Sequence, residues 1–252
     1  EYIVRRFGRP AYELVFEPLA DKVWGDPSRL HPEMARTRVP ASGGLEVILK
    51  LLGLKKETTQ TNAEFFYYPR GGFGDLTQVL AKQIEAWGGR VVTNAEITAV
   101  EYCKGRVTAV AGQVGGDPAS FACDTLVSSI PLSSLGRLIF SGRDDDFNLA
   151  VDGLQFRHLV LVYLFVKRPL VLEDQWVFFP ERQFIFSRIF EQKQMNPDLG
   201  PGDQTCLCCD FTCAEDSWEW KAGDRVLAEK CMEGLAACHL VTQSDVCGYL
   251  VK

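Results

Sequence analysis

Tyr67-Tyr68-Pro69-Arg70-Gly71-Gly72-Phe73-Gly74-Asp75-Leu76 is the stretch from which the fold is read. The glycines from 71 to 74 free the backbone for a tight turn. Leu76, Val79, Leu80, Gln83, Ile84 and Trp87 then recur at helical spacing. Gly88-Gly89 ends that helix, because glycine accepts the left-handed conformation a helix stop needs. Two β-rich segments follow, residues 91–102 and 106–114, with Lys104-Gly105 as the hairpin turn between them. A last apolar run, residues 125–130, reads as a further strand and reaches Pro131.

This order of pieces resembles the central segment of the FAD-dependent amine oxidase, protoporphyrinogen oxidase and phytoene desaturase superfamily. There a Gly-Gly-x-x-x-Leu turn opens a helix, and the helix leads into a strand whose backbone meets the flavin adenine. A later strand ends in an x-x-Pro turn near the cofactor. The resemblance extends upstream to Arg6-Phe7-Gly8-Arg9, Phe16-Glu17-Pro18 and Lys22-Val23-Trp24-Gly25, and more loosely downstream to Trp176-Val177-Phe178-Phe179-Pro180-Glu181. It implies an α+β fold with a mixed, largely antiparallel sheet and flanking helices: a substrate domain plus part of the FAD domain of a two-domain flavoprotein. Residues 1–67 would be the helical part of the substrate domain. Residues 68–135 would belong to the FAD-binding domain, and 136–252 would be the sheet part of the substrate domain. Ile97 would present its main chain to the adenine, with Ile130 and Pro131 close to the same cofactor.

Superfamily members normally open with a strand, a Gly-x-Gly-x-x-Gly turn and a helix that hold the pyrophosphate, and close with a glycine-rich flavin segment. Neither occurs in these 252 residues, so the chain reads as the central piece of a larger protein. The piece by itself is not expected to retain FAD. Gly72-Phe73-Gly74-Asp75-Leu76-Thr77 comes near the dinucleotide pattern, with Glu96 where a ribose-binding acid would stand. Pro69-Arg70 occupies the place of the apolar strand, and threonine stands for the third glycine. The stretch therefore reads as a turn feeding a helix.

Composition sets outer bounds. Hydrophobic residues make up 46% of the chain, enough for a sizeable core without disulfides, and the net charge of −6 disfavours a nucleic-acid surface. No apolar run approaches the length of a transmembrane helix, which leaves room for peripheral membrane contact. Five of the nine cysteines lie between positions 206 and 231. Cys206, Cys208 and Cys209 fall on a strand, where alternation sends the first two to one face and the third to the other. They do not converge on a metal, and they read as buried thiols. An odd cysteine count favours a reducing, cytoplasmic setting.

The N-terminal third reads as helical, broken near Gly8 and Pro10, with a kink or restart at Pro18 and a stop-and-start at Asp26-Pro27-Ser28. Gly43-Gly44 precedes the apolar run Leu45, Val47, Ile48, Leu51 and Leu52. Residues 58–62 and 141–148 read as polar and acidic loops. Strands are expected at 156–167, 175–179, 183–190 and 204–212. A closing helix would carry Val226, Leu227, Cys231, Leu235 and Cys238 on one face.

His31, His158 and His239 lack partner motifs, and no nucleophile elbow or zinc-binding pair occurs. That poverty suits a flavoenzyme, whose cofactor carries the hydride chemistry. Phe178, Phe184 and Phe186 would line an apolar substrate pocket or, in the plainer alternative, a sheet core. Arg157 begins a strand that by resemblance runs towards the active-site region. Arg188 would clamp an anionic group or reach solvent at a sheet edge. The substrate expected is a small apolar or amine-bearing molecule. The other reading is a non-catalytic ligand- or partner-binding module on the same scaffold.

Overall fold

The computed structural model describes residues 1–38, 66–140 and 145–252. The apolar run after Gly43-Gly44, the polar loop at 58–62 and residues 141–144 lie outside the described residues. The chain divides into two compact units, one of Glu1–Asp75 with Arg157–Lys252 and one of Leu76–Phe156.

The larger unit is built on a five-stranded sheet. Its strands are β4 (His158–Val166), β5 (Trp176–Phe178), β6 (Arg188–Glu191), β7 (Thr205–Cys213) and β8 (Val246–Val251), in the order β5-β6-β7-β4-β8. Every pairing is antiparallel. Alternation along the strands produces two distinct faces. Val160, Val162, Leu164 and Val166 of β4 and Leu207, Cys209, Phe211 and Cys213 of β7 point into one core. The helix Asp224–Ala237 closes that core with Leu227, Ala228, Cys231 and Leu235. Val226, expected on the same stripe, is instead exposed, one position off the buried arc. Glu191 is also on the core side and fully buried. Its carboxylate accepts from the Val171 and Leu172 amides and the Thr205 hydroxyl, at 2.6 to 3.1 Å, which satisfies a charge that burial would otherwise penalise.

The same unit holds the N-terminal helices α1 (Tyr2–Phe7), α2 (Glu17–Trp24) and α3 (Pro32–Arg38). Gly8, at φ 83°, makes the break after α1. An α-helix restarts at Glu17-Pro18, with the proline in its first turn. Ahead of it the helix widens into a π-turn, Tyr12–Phe16, with the Glu17 amide donating to the Tyr12 carbonyl. That wider turn accommodates a ring that would otherwise crowd the preceding turn's carbonyl. Asp26 accepts from the Ser28 amide at 2.9 Å and caps the short 3-10 turn Pro27–Arg29, the restart read from the sequence.

The smaller unit contains most of helix α4 (Gly74–Ala86) and a three-stranded antiparallel sheet, β1 (Ala95–Cys103), β2 (Arg106–Val114) and β3 (Asp117–Ala122). The Gly89 amide closes α4 on the Ile84 carbonyl, with Gly88 left-handed at φ 84°. Helices α5 (Leu132–Phe140) and α6 (Asp145–Asp152) follow the sheet. Tyr102, Phe140 and Phe147 stack edge to face in series, so the unit continues past residue 135 to Phe156.

Several expectations are corrected. Residues 145–148 open a helix rather than forming a loop. Residues 125–130 form no strand, and Val127 is 93% exposed. Residues 91–94 precede β1, which starts after the left-handed Asn94. Residues 183–187 are bends, and only Arg188–Glu191 pairs as a strand.

Candidate functional site

The outer face of the five-stranded sheet is read directly from its register. One row across it is Phe178, Arg188, Asp210 and Leu161; the next is Trp176, Phe190, Cys208, Tyr163 and Leu250. Large apolar side chains on this face stand exposed: Leu159, Phe165, Trp176, Phe178 and Leu250 are each 39% to 54% accessible. At its centre lies a charge pair. Arg188 donates Nε (2.7 Å) and Nη2 to one oxygen of Asp210, whose side chain is 5% exposed against 39% for the arginine. The Ser187 hydroxyl lies 3.1 Å from the Asp210 carbonyl and donates to it. The guanidinium also lies 5.9 Å from the Phe178 ring centroid, within cation–π range.

Arg188 sits on an inner strand, opposite Asp210 in register, so it is a partly exposed, paired cation rather than an edge residue. Its remaining edge, Nη1, has no acceptor among the described residues. Tyr163, Cys206 and Cys208 on this face are held in their neutral, protonated forms. Burial, then the neighbouring Cys208 and Cys206, raises the Tyr163 hydroxyl; burial, then Glu191, pushes the Cys206 thiol up to about 11; burial, then Asp210, raises Cys208 further. The face therefore offers apolar surface and one guanidinium edge, with neither its thiols nor its tyrosine suited to proton transfer near pH 7.

The five substrate-side candidates do not form one cluster. Phe178 and Arg188 are cross-strand neighbours on the outer face. Phe184 and Phe186 are on the core side, stacked at 5.5 Å and 3° and each meeting Phe179 edge-on. Phe186 is completely buried, and a Cβ on Gly234 of the closing helix would come within 2.7 Å of it. Its role is packing, and its expected substrate contact is withdrawn. Arg157 stands at the end of the sheet against α2, donating to the Thr212 side chain and carbonyl at 3.0 Å and to the Lys22 carbonyl at 3.3 Å. Sequence reading missed Tyr163 and Asp210, whose signal was a polar residue inside each of two apolar strand runs.

In the smaller unit, Ile97 lies on β1 beside a register shift between Ile97 and Ala99, where the ladder to β2 is interrupted. It faces Gly112, where a Cβ would fall 1.9 Å from the Glu96 carbonyl oxygen. Glycine there lets the two backbones close up and fixes the main chain at Ile97. Ile130 and Pro131 are exposed, and the Pro131 carbonyl accepts from Leu135 at the start of α5. The Gly71–Gly74 turn has no strand leading into it. The Gly71 amide donates to the Asp75 carboxylate at 2.9 Å, and that carboxylate fills the space beside Gly71. An acid at that point repels a phosphate, which supports reading the turn as structural.

No protein-family model matches the chain, and no curated protein sequence matches it. Solved structures do. A reduced UDP-galactopyranose mutase superposes with a TM-score of 0.76 at 17% identity, over 99% of this chain and 53% of its own. A protein assigned as a protoporphyrinogen oxidase from Exiguobacterium sp. 255-15 gives 0.64 at 14% identity, over 100% and 53%. An oxidoreductase from Methanosarcina mazei gives 0.59 at 17% identity, over 73% and 42%. The chain thus has an α+β fold shared with oxidoreductases, and the resemblance read from the sequence holds at the level of fold. It spans about half the length of the first two of these structures.

Proposed function

We propose that this chain is part of an FAD-dependent oxidoreductase and that the outer face of its five-stranded sheet receives the organic substrate. The observation that carries this is the exposed aromatic and aliphatic surface around the Arg188–Asp210 pair, on a fold shared with oxidoreductases. Phe178, Trp176 and Phe165 would pack an apolar or amine-bearing molecule, and Arg188 would orient it. FAD, when bound, would accept the hydride.

The smaller unit would belong to the FAD-binding domain. Its α4 buries none of its residues, and Val79, Leu80 and Trp87 stand 54% to 80% exposed, as expected of a surface that further protein covers. The main chain around Ile97 suits recognition of an adenine edge, with Ile130 and Pro131 near the same cofactor. The Gly71–Gly74 turn does not suit a pyrophosphate, because Asp75 occupies it. These 252 residues alone are therefore not expected to hold FAD, since a few backbone contacts do not offset several kcal/mol of association entropy. The test is to purify the product of the complete gene and record its visible spectrum. A yellow protein that is bleached by dithionite supports the reading. A colourless one that takes up no FAD overturns it and favours a non-catalytic binding module.

A further inference from the structure

Among the described residues, Arg157 donates to neutral acceptors. Its Nε donates to Thr212 Oγ1 and its Nη2 to the carbonyls of Thr212 and Lys22. The Lys22 ammonium donates to the carbonyls of Phe179 and Phe186, each at 2.8 Å. Both residues border a cleft of about 780 Å3 within the larger unit. Four cationic side chains and three carboxylates line it, and most of them cancel in pairs. Arg182 pairs with Asp21 and Lys230 with Glu233, which leaves Glu219 in the lining, and outside the lining Glu181 acts on Lys22. Gly25, at φ +83°, keeps the space beside Arg157 Nη1 clear; a Cβ there would lie 3.1 Å from that nitrogen. Trp218 supplies apolar surface to the same cleft.

We propose that this cleft binds a small organic oxyanion, a phosphate or a carboxylate, with the Nη1 group of Arg157 as its anchor and Lys22 as the supporting charge. With Nε and Nη2 already engaged, the two N–H groups of Nη1 are the donors left for an oxyanion. Because Arg157 is already held by its carbonyl partners, little side-chain freedom is lost on binding. Burial lowers Lys22 to about 8, and a bound anion would raise it, so binding near that pH would take up protons. The cleft shares neither Phe178, Arg188 nor Asp210 with the outer face, so the inference does not depend on the function proposed above.

The test uses phenyl phosphate, benzoate and neutral phenol, titrated by calorimetry into the 252-residue chain at low ionic strength. At least one of the two anions binds saturably, phenol does not, and the better anion identifies the oxyanion class. Arg157→Gln weakens binding about 10-fold or more, whereas Arg225→Gln, on the exposed Arg225–Glu229 pair, leaves it unchanged. If Arg157→Gln does not fold, the Arg157 side-chain nitrogen resonance of the unaltered chain must shift on titration while that of Arg225 does not. No saturation up to about 10 mM of either anion, equal binding by Arg157→Gln, or an unmoved Arg157 resonance overturns the proposal.

Discussion

Replacing Arg188 with methionine isolates the central feature of the outer face. Asp210 would keep its buried position, 5% exposed, and lose its charged partner Arg188, while the Ser187 hydroxyl stays on the Asp210 carbonyl. Breaking a buried pair by removing one member costs about 3–5 kcal/mol. Arg188 is itself 39% exposed, so water would reach part of the site, and about 3 kcal/mol is expected at pH 7. The double variant carries the diagnosis. Adding Asp210→Leu should remove most of the penalty at pH 7, since well-packed apolar groups replace such pairs at little cost. The assay is urea denaturation followed by tryptophan fluorescence, which reports mainly on the larger unit because Trp24, Trp176, Trp218 and Trp220 lie there and only Trp87 lies elsewhere. A loss below about 0.5 kcal/mol, or no relief of the loss on adding Asp210→Leu, would refute the reasoning.

Gly112→Ala should destabilise the three-stranded sheet by about 1–3 kcal/mol, because its Cβ meets the Glu96 main chain rather than a movable side chain; faster amide exchange across β1 and β2 is the readout. Burial leaves Lys22 with a folded-state pKa lowered from 10.5 to about 8. Between those values the unfolded state binds more protons, so the unaltered chain should gain stability relative to Lys22→Met as pH rises from about 8 towards 10.5, measured as paired urea midpoints; a flat difference would exclude the assignment. Among the nine cysteines, Cys103 and Cys247 are exposed, whereas Cys208, Cys209, Cys213 and Cys231 are buried. A disulfide-exchange reagent at pH 8 should label the exposed pair first and the four buried thiols only on unfolding, mapped by mass spectrometry.

The elements legible in the sequence were those whose signals are local. Helix α4 combined a glycine turn, a helical apolar period and a Gly88-Gly89 stop. The β1–β2 hairpin had Lys104-Gly105, both left-handed in the structure. The opposed faces of Cys208 and Cys209 followed from strand period alone. What escaped depended on distant partners. β8 becomes a strand by pairing with β4, eighty residues earlier. β3 was hidden by Pro118, although left-handed Gly115-Gly116 marks its hairpin turn. Phe184 and Phe186 alternate as a strand would, yet the closing helix pulls them into the core from bends. In the candidate site, Phe178 and Arg188 were legible as an aromatic and a cation in apolar strands. Their counterpart Asp210 was not, because only sheet register brings it opposite Arg188.

The account turns on a flavin whose adenine meets the main chain at Ile97. The most direct measurement is photolabelling of the complete gene product with 8-azidoadenine-FAD, followed by peptide mapping, with excess FAD as the protecting competitor. The account predicts an FAD-protected adduct within Ala95–Cys103, the strand that carries Ile97. A protected adduct at the Gly71–Gly74 turn instead, or labelling that FAD does not suppress, would contradict it.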